Sequence, residues 1–501
     1  MEERGRAVRS RVAFVPLLMV LLVACSHSKG VTIRMDGRSQ TVETEAETVR
    51  QVLSEAEVAL GDLDRVEPDL WESVQEGMEI RVIRVQEETE VEVQKTPFER
   101  RAIKDEALEV GESRLVQEGV EGEEEVVWLL TYEDGEEVAR KVVARRVVVE
   151  PVPEVELVGA KGLLPSIPLS GTIAYISYGN AWVMRHESGQ KRPLTVSGDL
   201  DGRVFALSPD GTRLLFTRTI GSALNSLWMV STVVVGDEPQ PLGIEGVRYA
   251  EWSPDGDKIA YSTAEKTEGA PGWKARNDLW IASLEDEEEE VLPPSSGGIY
   301  GWWGMNFAWS PDGSLFAYAD ADEVGVIDAS TGDRSLLLSF APYYTYAEWV
   351  WVPTLSWSPD SLFLATIAHD ISDEETFDLW VLGVDGKVGA RLVPQVGIWS
   401  SPRWSLGDSI LFGQAESPDR SQESRYLLYV VDRDGSDREK VFPPGGEEGL
   451  VIEELVPWVW SPGGGEIIVV KEGNLHLLDL EDGSWEQLTI DGGASQPRWA
   501  R

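Results

Sequence analysis

Ser253 and Asp255 stand two residues apart beside Trp252 in "EWSPDGDKIAYST", a hydroxyl and a carboxylate of the kind that nucleophilic catalysis uses. The phrase recurs as "ALSPDGTRLLFTR" from Ala206, "AWSPDGSLFAYAD" from Ala308 and "SWSPDSLFLATIA" from Ser356, and looser copies carry Ser405 and Ser461. Successive serines, starting at Ser208, are spaced by 45, 57, 48, 47 and 56 residues. A nucleophile is needed once, in one site; a serine repeated at this spacing and varied to "SPDS", "SLGD" and "SPGG" has a structural task. A type I turn favours Ser at its first position, Pro at its second and Gly at its fourth. The phrase therefore predicts a hairpin turn between an apolar strand ending in Trp and an alternating strand such as "KIAYS".

Other chemistry finds little support. Asp432, Asp434 and Asp437 in "DRDGSD" resemble half of a calcium loop, but the full ligand set is missing and the position is that of a hairpin. The run "EDEEEE" at 285–290 reads as a solvated turn between strands. The four histidines, His27, His186, His369 and His476, show no HExxH or paired spacing, which argues against zinc. No G-x-S-x-G elbow occurs. No catalytic residue, metal or cofactor is expected.

Binding has better candidates. If the repeated phrase is a hairpin, the turns between first and second and between third and fourth strands share one face of each unit. The other face takes the insertions at 263–278, 368–378 and 414–425 and the aromatic connections at 298–307, 340–353 and 396–402. Tyr300, Trp302, Trp303, Tyr343, Tyr344, Tyr346, Trp349, Trp351 and Trp399 fall there. Aromatic faces stack on sugar rings and anchor protein partners, so these nine form the candidate binding surface. The competing expectation is that they pack between units or plug a channel.

The elements that must position these residues follow from the repeat. Its period is that of a four-stranded propeller blade with insertions. Third-strand phrases such as "LWMV", "LWIA" and "LWVL" occur seven times, which predicts seven blades; six or eight follow if an insertion hides or mimics a unit. "GTIAYIS" at 171–177 lacks a first strand and the terminal "SQPRWAR" lacks a second, so pairing them would close the ring and remove its edges. The wording "WSPDG…IAY…LW" across residues 172–501 resembles the WD-like repeat of TolB and of the prolyl oligopeptidase propeller. The hydrolase domain of the latter is absent, so its activity does not come with the resemblance.

Upstream lie two smaller segments. Residues 30–86 read as two strands around Asp36-Gly37, a favoured hairpin pair, then a helix with Val49, Val52, Leu53, Ala56 and Leu60 on one face, then the strand "MEIRVIRV". Thr48 and Gln51 fit a capping box. The segment resembles a small ubiquitin-like domain found before cell-wall modules in bacterial surface proteins. Residues 87–162 are charged strand, with a long hairpin at Asp134-Gly135. "PFERR", "TYEDGEEVARKVV" and "VELVGAK" resemble the G-five (G5) domain, whose five glycines match Gly111, Gly119, Gly122, Gly135 and Gly159 in order. They are expected at turns or at close strand approaches. The resemblance implies binding of N-acetylglucosamine-containing glycans, or a stiff spacer. A Pro-rich linker covers 163–171. The expected fold is thus mainly β: an α+β ubiquitin-like domain, an extended G5 sheet and a C-terminal β-propeller.

The chain opens with four arginines and the 13-residue apolar run "VAFVPLLMVLLVA", too short to span a bilayer and interrupted by Pro16, which suits a signal peptide over 1–24. Leu22, Val23, Ala24 and Cys25 resemble a bacterial lipobox, which implies lipidation of Cys25 and anchoring on the outer side of the cytoplasmic membrane or at the cell surface. As the single cysteine, Cys25 leaves no internal disulfide framework. Lys and Arg number 44 against 88 Asp and Glu, a net charge of −44, which becomes −46 once residues 1–24, carrying four Arg and two Glu, are removed. Such acidity argues against nucleic acid as a partner and against contact with an anionic lipid surface except through the anchor. The expectation is a non-enzymatic surface lipoprotein binding a cell-wall glycan or an envelope protein. The alternatives are a propeller-based glycan lyase or hydrolase, and an envelope assembly factor like TolB.

Overall fold

A computed structural model describes residues 28–105, 108–219, 223–268, 271–284, 288–347, 349–370, 376–445, 448–452 and 458–501. The lipobox and residues 285–287 of the acidic run lie outside the described residues. The chain splits into two compact units, one of Met1–Thr96 with Gly122–Glu150, the other of Pro97–Glu121 with Pro151–Arg501. No helix among the described residues is long and apolar enough to cross a membrane.

In the first unit, strands β1 (Lys29–Met35) and β2 (Arg38–Thr44) form a hairpin whose turn residues Asp36 and Gly37 take φ 49° and 69°. Helix α1 (Val49–Glu55) follows, then β3 (Arg65–Glu67) and β4 (Glu79–Ile83), giving the sheet order β2-β1-β4-β3 with β1 and β4 parallel. Thr48 and Gln51 make the capping box expected of them. The apolar spacing predicted a helix running on to Leu60, but it ends at Glu55. Glu57 adopts φ 57° and the Val58 amide bonds back to the Leu53 carbonyl at 2.9 Å. Ala56 and Leu60 reach the Val31, Val52, Leu53 and Ile80 core from the turn instead.

Six strands cover the next segment: β5 (Val85–Thr96), β6 (Arg100–Asp105), β7 (Ser113–Gln117), β8 (Gly122–Glu133), β9 (Glu136–Val149) and β10 (Glu154–Gly159). They form two sheets. β5-β8-β9 is a long antiparallel ribbon in the first unit, turning at Asp134 and Gly135 with φ 50° and 86°. Its apolar residues are largely solvated, with Val126 and Leu130 of β8 the exceptions. The Asp134 carboxylate accepts from the Arg84 amide at 3.0 Å, tying the ribbon to the end of the ubiquitin-like fold.

The other sheet, β6-β10-β7, belongs to the second unit, with β10 parallel to β6 and antiparallel to β7. Here the expected glycine constraint is close approach. A Cβ at Gly119 would sit 2.2 Å from the Phe98 ring, and one at Gly159 would sit 1.8 Å from the Glu109 carbonyl oxygen. Gly111, at φ 95°, meets the turn requirement; Gly122 is buried at the start of β8. Ile103, Val155 and Leu157 of this sheet pack into one core with Ile173, Tyr175, Trp182 and Leu475 of the propeller.

Seven sheets among the described residues make the propeller. The closing one pairs β11 (Pro168–Ser177) with the C-terminal strand Ala494–Ala500, Ile173 opposite Trp499, and with β12 (Asn180–Pro193). The Leu194 amide bonds to the Ala181 carbonyl at 2.7 Å, so the chain reverses within β12 and supplies its own outer strand. Each remaining sheet runs in sequence order from an inner strand that ends at the repeated serine. The serine hydroxyls are all buried in turns. Ser208 Oγ donates to Asp210 at 2.6 Å and accepts from the Arg213 amide at 2.9 Å, and Ser253, Ser310 and Ser358 repeat both bonds. The repeated tryptophans staple neighbouring inner strands. The indoles of Trp252, Trp357 and Trp460 donate to the carbonyls of Ala206, Ala308 and Arg403 at 2.9–3.0 Å.

Candidate functional site

Two adjoining cavities occupy the propeller. The first, of about 740 Å³, lies at the ends of the sheets opposite the serine turns. Trp273 comes from the insertion between second and third strands. Trp303, Trp349, Trp351 and Trp399 come from the connections between blades, and Ile367 and Ile398 complete the apolar wall. Connections that leave on one face of a ring converge at its axis, which brings indoles nearly 130 residues apart in the chain to one mouth. Trp349 and Trp399 lie 6.1 Å apart with planes 31° from parallel, and Trp399 is held by a bond from its indole to the Gln422 carbonyl at 3.3 Å.

Four of the nine aromatic candidates therefore line this mouth: Trp303, Trp349, Trp351 and Trp399. The other five do not. Tyr343 is core, its ring edge-on to Phe377 at 5.0 Å and its hydroxyl accepting from Gln422 Nε2 at 2.8 Å. Trp351 serves both purposes, since it also packs edge-on to Phe377 at 4.9 Å. Trp302, Tyr344 and Tyr346 are exposed; Lys274 Nζ lies 5.4 Å above the Trp302 ring. Tyr300 borders a separate small cavity beside Asp320, Asp322 and Arg334. Trp273 was not singled out from the sequence. The signal was its place in the 263–278 insertion, on the same face as the aromatic connections.

The second cavity, of about 570 Å³, is the central channel walled by the inner strands. It shares Asn306 and Thr354 with the aromatic mouth. Tyr249, Glu251, Arg203, Arg248, Arg403 and Arg498 line it. Glu251 accepts from the Tyr249 hydroxyl at 2.6 Å and the Trp309 amide at 3.0 Å. Burial raises the Glu251 carboxyl, opposed by these two donors and by Arg403 and Arg498. Burial also brings the Arg248 and Arg498 guanidinium groups down to about 10, which leaves both charged at neutral pH. Trp273 joins the cavities, with Arg203 4.9 Å and Arg248 5.6 Å from its ring centre.

The remaining chemical candidates are occupied by turns. Asp434 accepts from the Ser436 amide and hydroxyl at 2.9 and 2.6 Å, and Asp432 from Ser409 Oγ at 2.9 Å. Among the described residues no group of three or more His, Cys, Asp or Glu is placed to hold a metal ion.

Residues 87–161 match the G5 domain family, and residues 31–70 match the G5-linked ubiquitin-like domain. The chain thus carries both modules ahead of its propeller. Among solved structures it is similar to TolB from Acinetobacter baumannii, at 13% identity over 73% of this chain and 98% of that one, with a TM-score of 0.37. It is also similar to an oligogalacturonate lyase from Vibrio parahaemolyticus, at 11% identity over 66% of this chain and 89% of that one, with a TM-score of 0.40. The tricorn protease gives 11% identity over 75% of this chain and 43% of that one, with a TM-score of 0.46.

Proposed function

We propose that this is a non-enzymatic envelope protein, held by a lipid on Cys25, whose propeller binds a cell-wall glycan at the aromatic mouth. The observation that carries the reading is the mouth itself: five indoles around one cavity on the face where the long connections gather. Indole faces present the flat apolar surface that pyranose rings stack on, while a buried protein core has no use for an open cavity of this size. The G5 module supports a wall-directed role, with the ribbon as a second contact for glycan.

The test is co-sedimentation of the full-length protein, kept in detergent, with purified sacculi. Trp303 and Trp399 are replaced together by Ala, since both line the cavity and neither is fully buried. The expected result is pelleting of the parent and a loss of about tenfold or more in the folded double variant, the usual scale for a truncated aromatic contact. Equal pelleting by parent and variant would remove the mouth from the wall-binding role.

A further inference from the structure

A chain with a net charge of −44 has an axial channel of the opposite sign. Arg203, Arg248, Arg403 and Arg498 line it, and Glu251 is the one carboxylate among its lining residues. Four guanidinium groups against one carboxylate leave an excess of three positive charges. Ordinary pairing does not explain them. Arg248 donates to the Trp303 and Met305 carbonyls and to Asn306 Oδ1, the first at 3.1 Å and the last at 3.4 Å. Arg403 donates to the Leu355 carbonyl at 3.4 Å, and Arg498 to the carbonyls of Phe205 and Pro497 at 2.7 and 3.0 Å. Arg203 stacks on Trp273. Asp201 acts on Arg203 and Asp320 on Arg248 from outside the lining, and neither forms an ion pair with them. Arg203 and Arg248 repel each other, as do Arg403 and Arg498. All four are partly buried, and like charges held partly out of water are retained at a cost in stability, which an incoming anion offsets.

We infer that the channel is a carboxylate-binding subsite continuous with the aromatic mouth, and that the ligand is an acidic saccharide: sugar rings on the indoles, carboxylate on the channel arginines. This rests on the glycan reading above and adds the charge of the ligand to it. Guanidinium groups bind carboxylates through paired hydrogen bonds. Asn306 and Thr354 lie at the junction, where the Asn306 amide donates to the Pro353 carbonyl at 3.0 Å and the Thr354 hydroxyl pairs with that of Ser401 at 3.3 Å. The five indoles of the adjoining mouth favour a saccharide over a peptide as the bearer of that carboxylate.

The probes for calorimetry on the full-length protein are two disaccharides of similar size. The N-acetylglucosamine–N-acetylmuramic acid disaccharide carries one carboxylate; chitobiose, the N-acetylglucosamine dimer, carries none. The acidic disaccharide is expected to bind about 10- to 100-fold tighter, the scale of one charged hydrogen-bonded contact. R403Q is expected to abolish that preference by weakening the acidic disaccharide about 10- to 100-fold. Arg403 makes a single long bond to the backbone, so its loss leaves the fold intact, and R498Q provides a second variant. Equal binding of the two disaccharides by the parent overturns the inference and leaves the glycan reading standing. A preference unchanged in both folded arginine variants overturns it as well. Arginine-dependent binding of acetyl-Ala-Ala in place of either sugar overturns the saccharide assignment. If neither disaccharide binds, the inference falls, and pelleting with sacculi then decides whether the glycan reading falls with it.

Discussion

Leu157→Ala tests whether half of the G5 segment is structurally part of the propeller. Leu157 is fully buried on β10, in the core that β6, β7 and β10 share with Ile173, Tyr175, Trp182 and Leu475. Removing three carbons from such a site costs the lost transfer energy and leaves a cavity, about 2–5 kcal/mol in comparable cores. The upper half of that range applies here. The site is walled by backbone on the β10 side, where Gly159 already touches the Glu109 carbonyl, so the cavity cannot collapse readily. The assay is guanidinium unfolding of the full chain followed by tryptophan fluorescence; Trp182 and Trp499 report directly on this core. A single propeller transition is expected to move to lower denaturant with unchanged slope. If the sheet were an independent spacer, the substitution would melt a minor phase and leave the propeller midpoint where it was. An unmoved main transition would falsify the shared core.

Two further perturbations probe local claims. Burial raises the Asp64 carboxyl, but the Gly61 amide, the Arg84 guanidinium and the Val85 amide outweigh it and hold it below the ordinary range. Its contribution to the ubiquitin-like fold is therefore present above about pH 4 and lost as pH falls through the depressed folded value. Asp64→Asn is expected to flatten the acid limb of that domain's stability curve, read by amide exchange of β1 and β4. Ser253→Ala removes a hydroxyl that donates to Asp255 and accepts from the Lys258 amide. It is expected to cost about 1–2 kcal/mol of propeller stability with pelleting on sacculi unchanged, whereas a serine acting chemically would show the reverse.

The repeat was the most legible feature because its constraints are local. "SPDG" states its turn in four residues, and the structure places every such serine in one. Ser358 shows the rule under substitution: Ser361 takes the glycine position at φ 60°, and its hydroxyl accepts from the Asp312 amide of the preceding blade at 3.1 Å. Ring closure was legible for the same reason, since each terminus carried half a blade. The pairing of β6 with β10 was not, because its partners stand some fifty residues apart and neither strand names the other. The aromatic site was half legible. Face parity put nine residues on one side of the ring, but only packing decides which turn inward to the mouth and which, like Tyr343, enter the core. The channel arginines were missed: "VRYAEW" and "PRWS" show a charged residue near a first-strand Trp, and nothing local says that alternate positions of an inner strand face the axis.

The opposition between exterior and channel also restricts which acids can reach the arginines. At low salt the Debye length is about 30 Å, and at physiological salt about 8 Å. An extended polyanion approaching the mouth is repelled by a surface whose net charge is −44 before any single carboxylate meets Arg403. A disaccharide with one carboxylate faces a far smaller barrier and gains the same close contact. A peptide-free glycan strand of N-acetylglucosamine–N-acetylmuramic acid repeats, one carboxylate per repeat, is accordingly expected to bind more weakly than the single disaccharide at about 10 mM salt, with the gap narrowing as salt rises, because screening weakens the long-range repulsion more than the desolvated contact. Calorimetry across a salt series reads this directly. Affinity for the polymer that falls monotonically with added salt would mean that attraction dominates at every range, and that the acidic exterior takes no part in selecting the ligand.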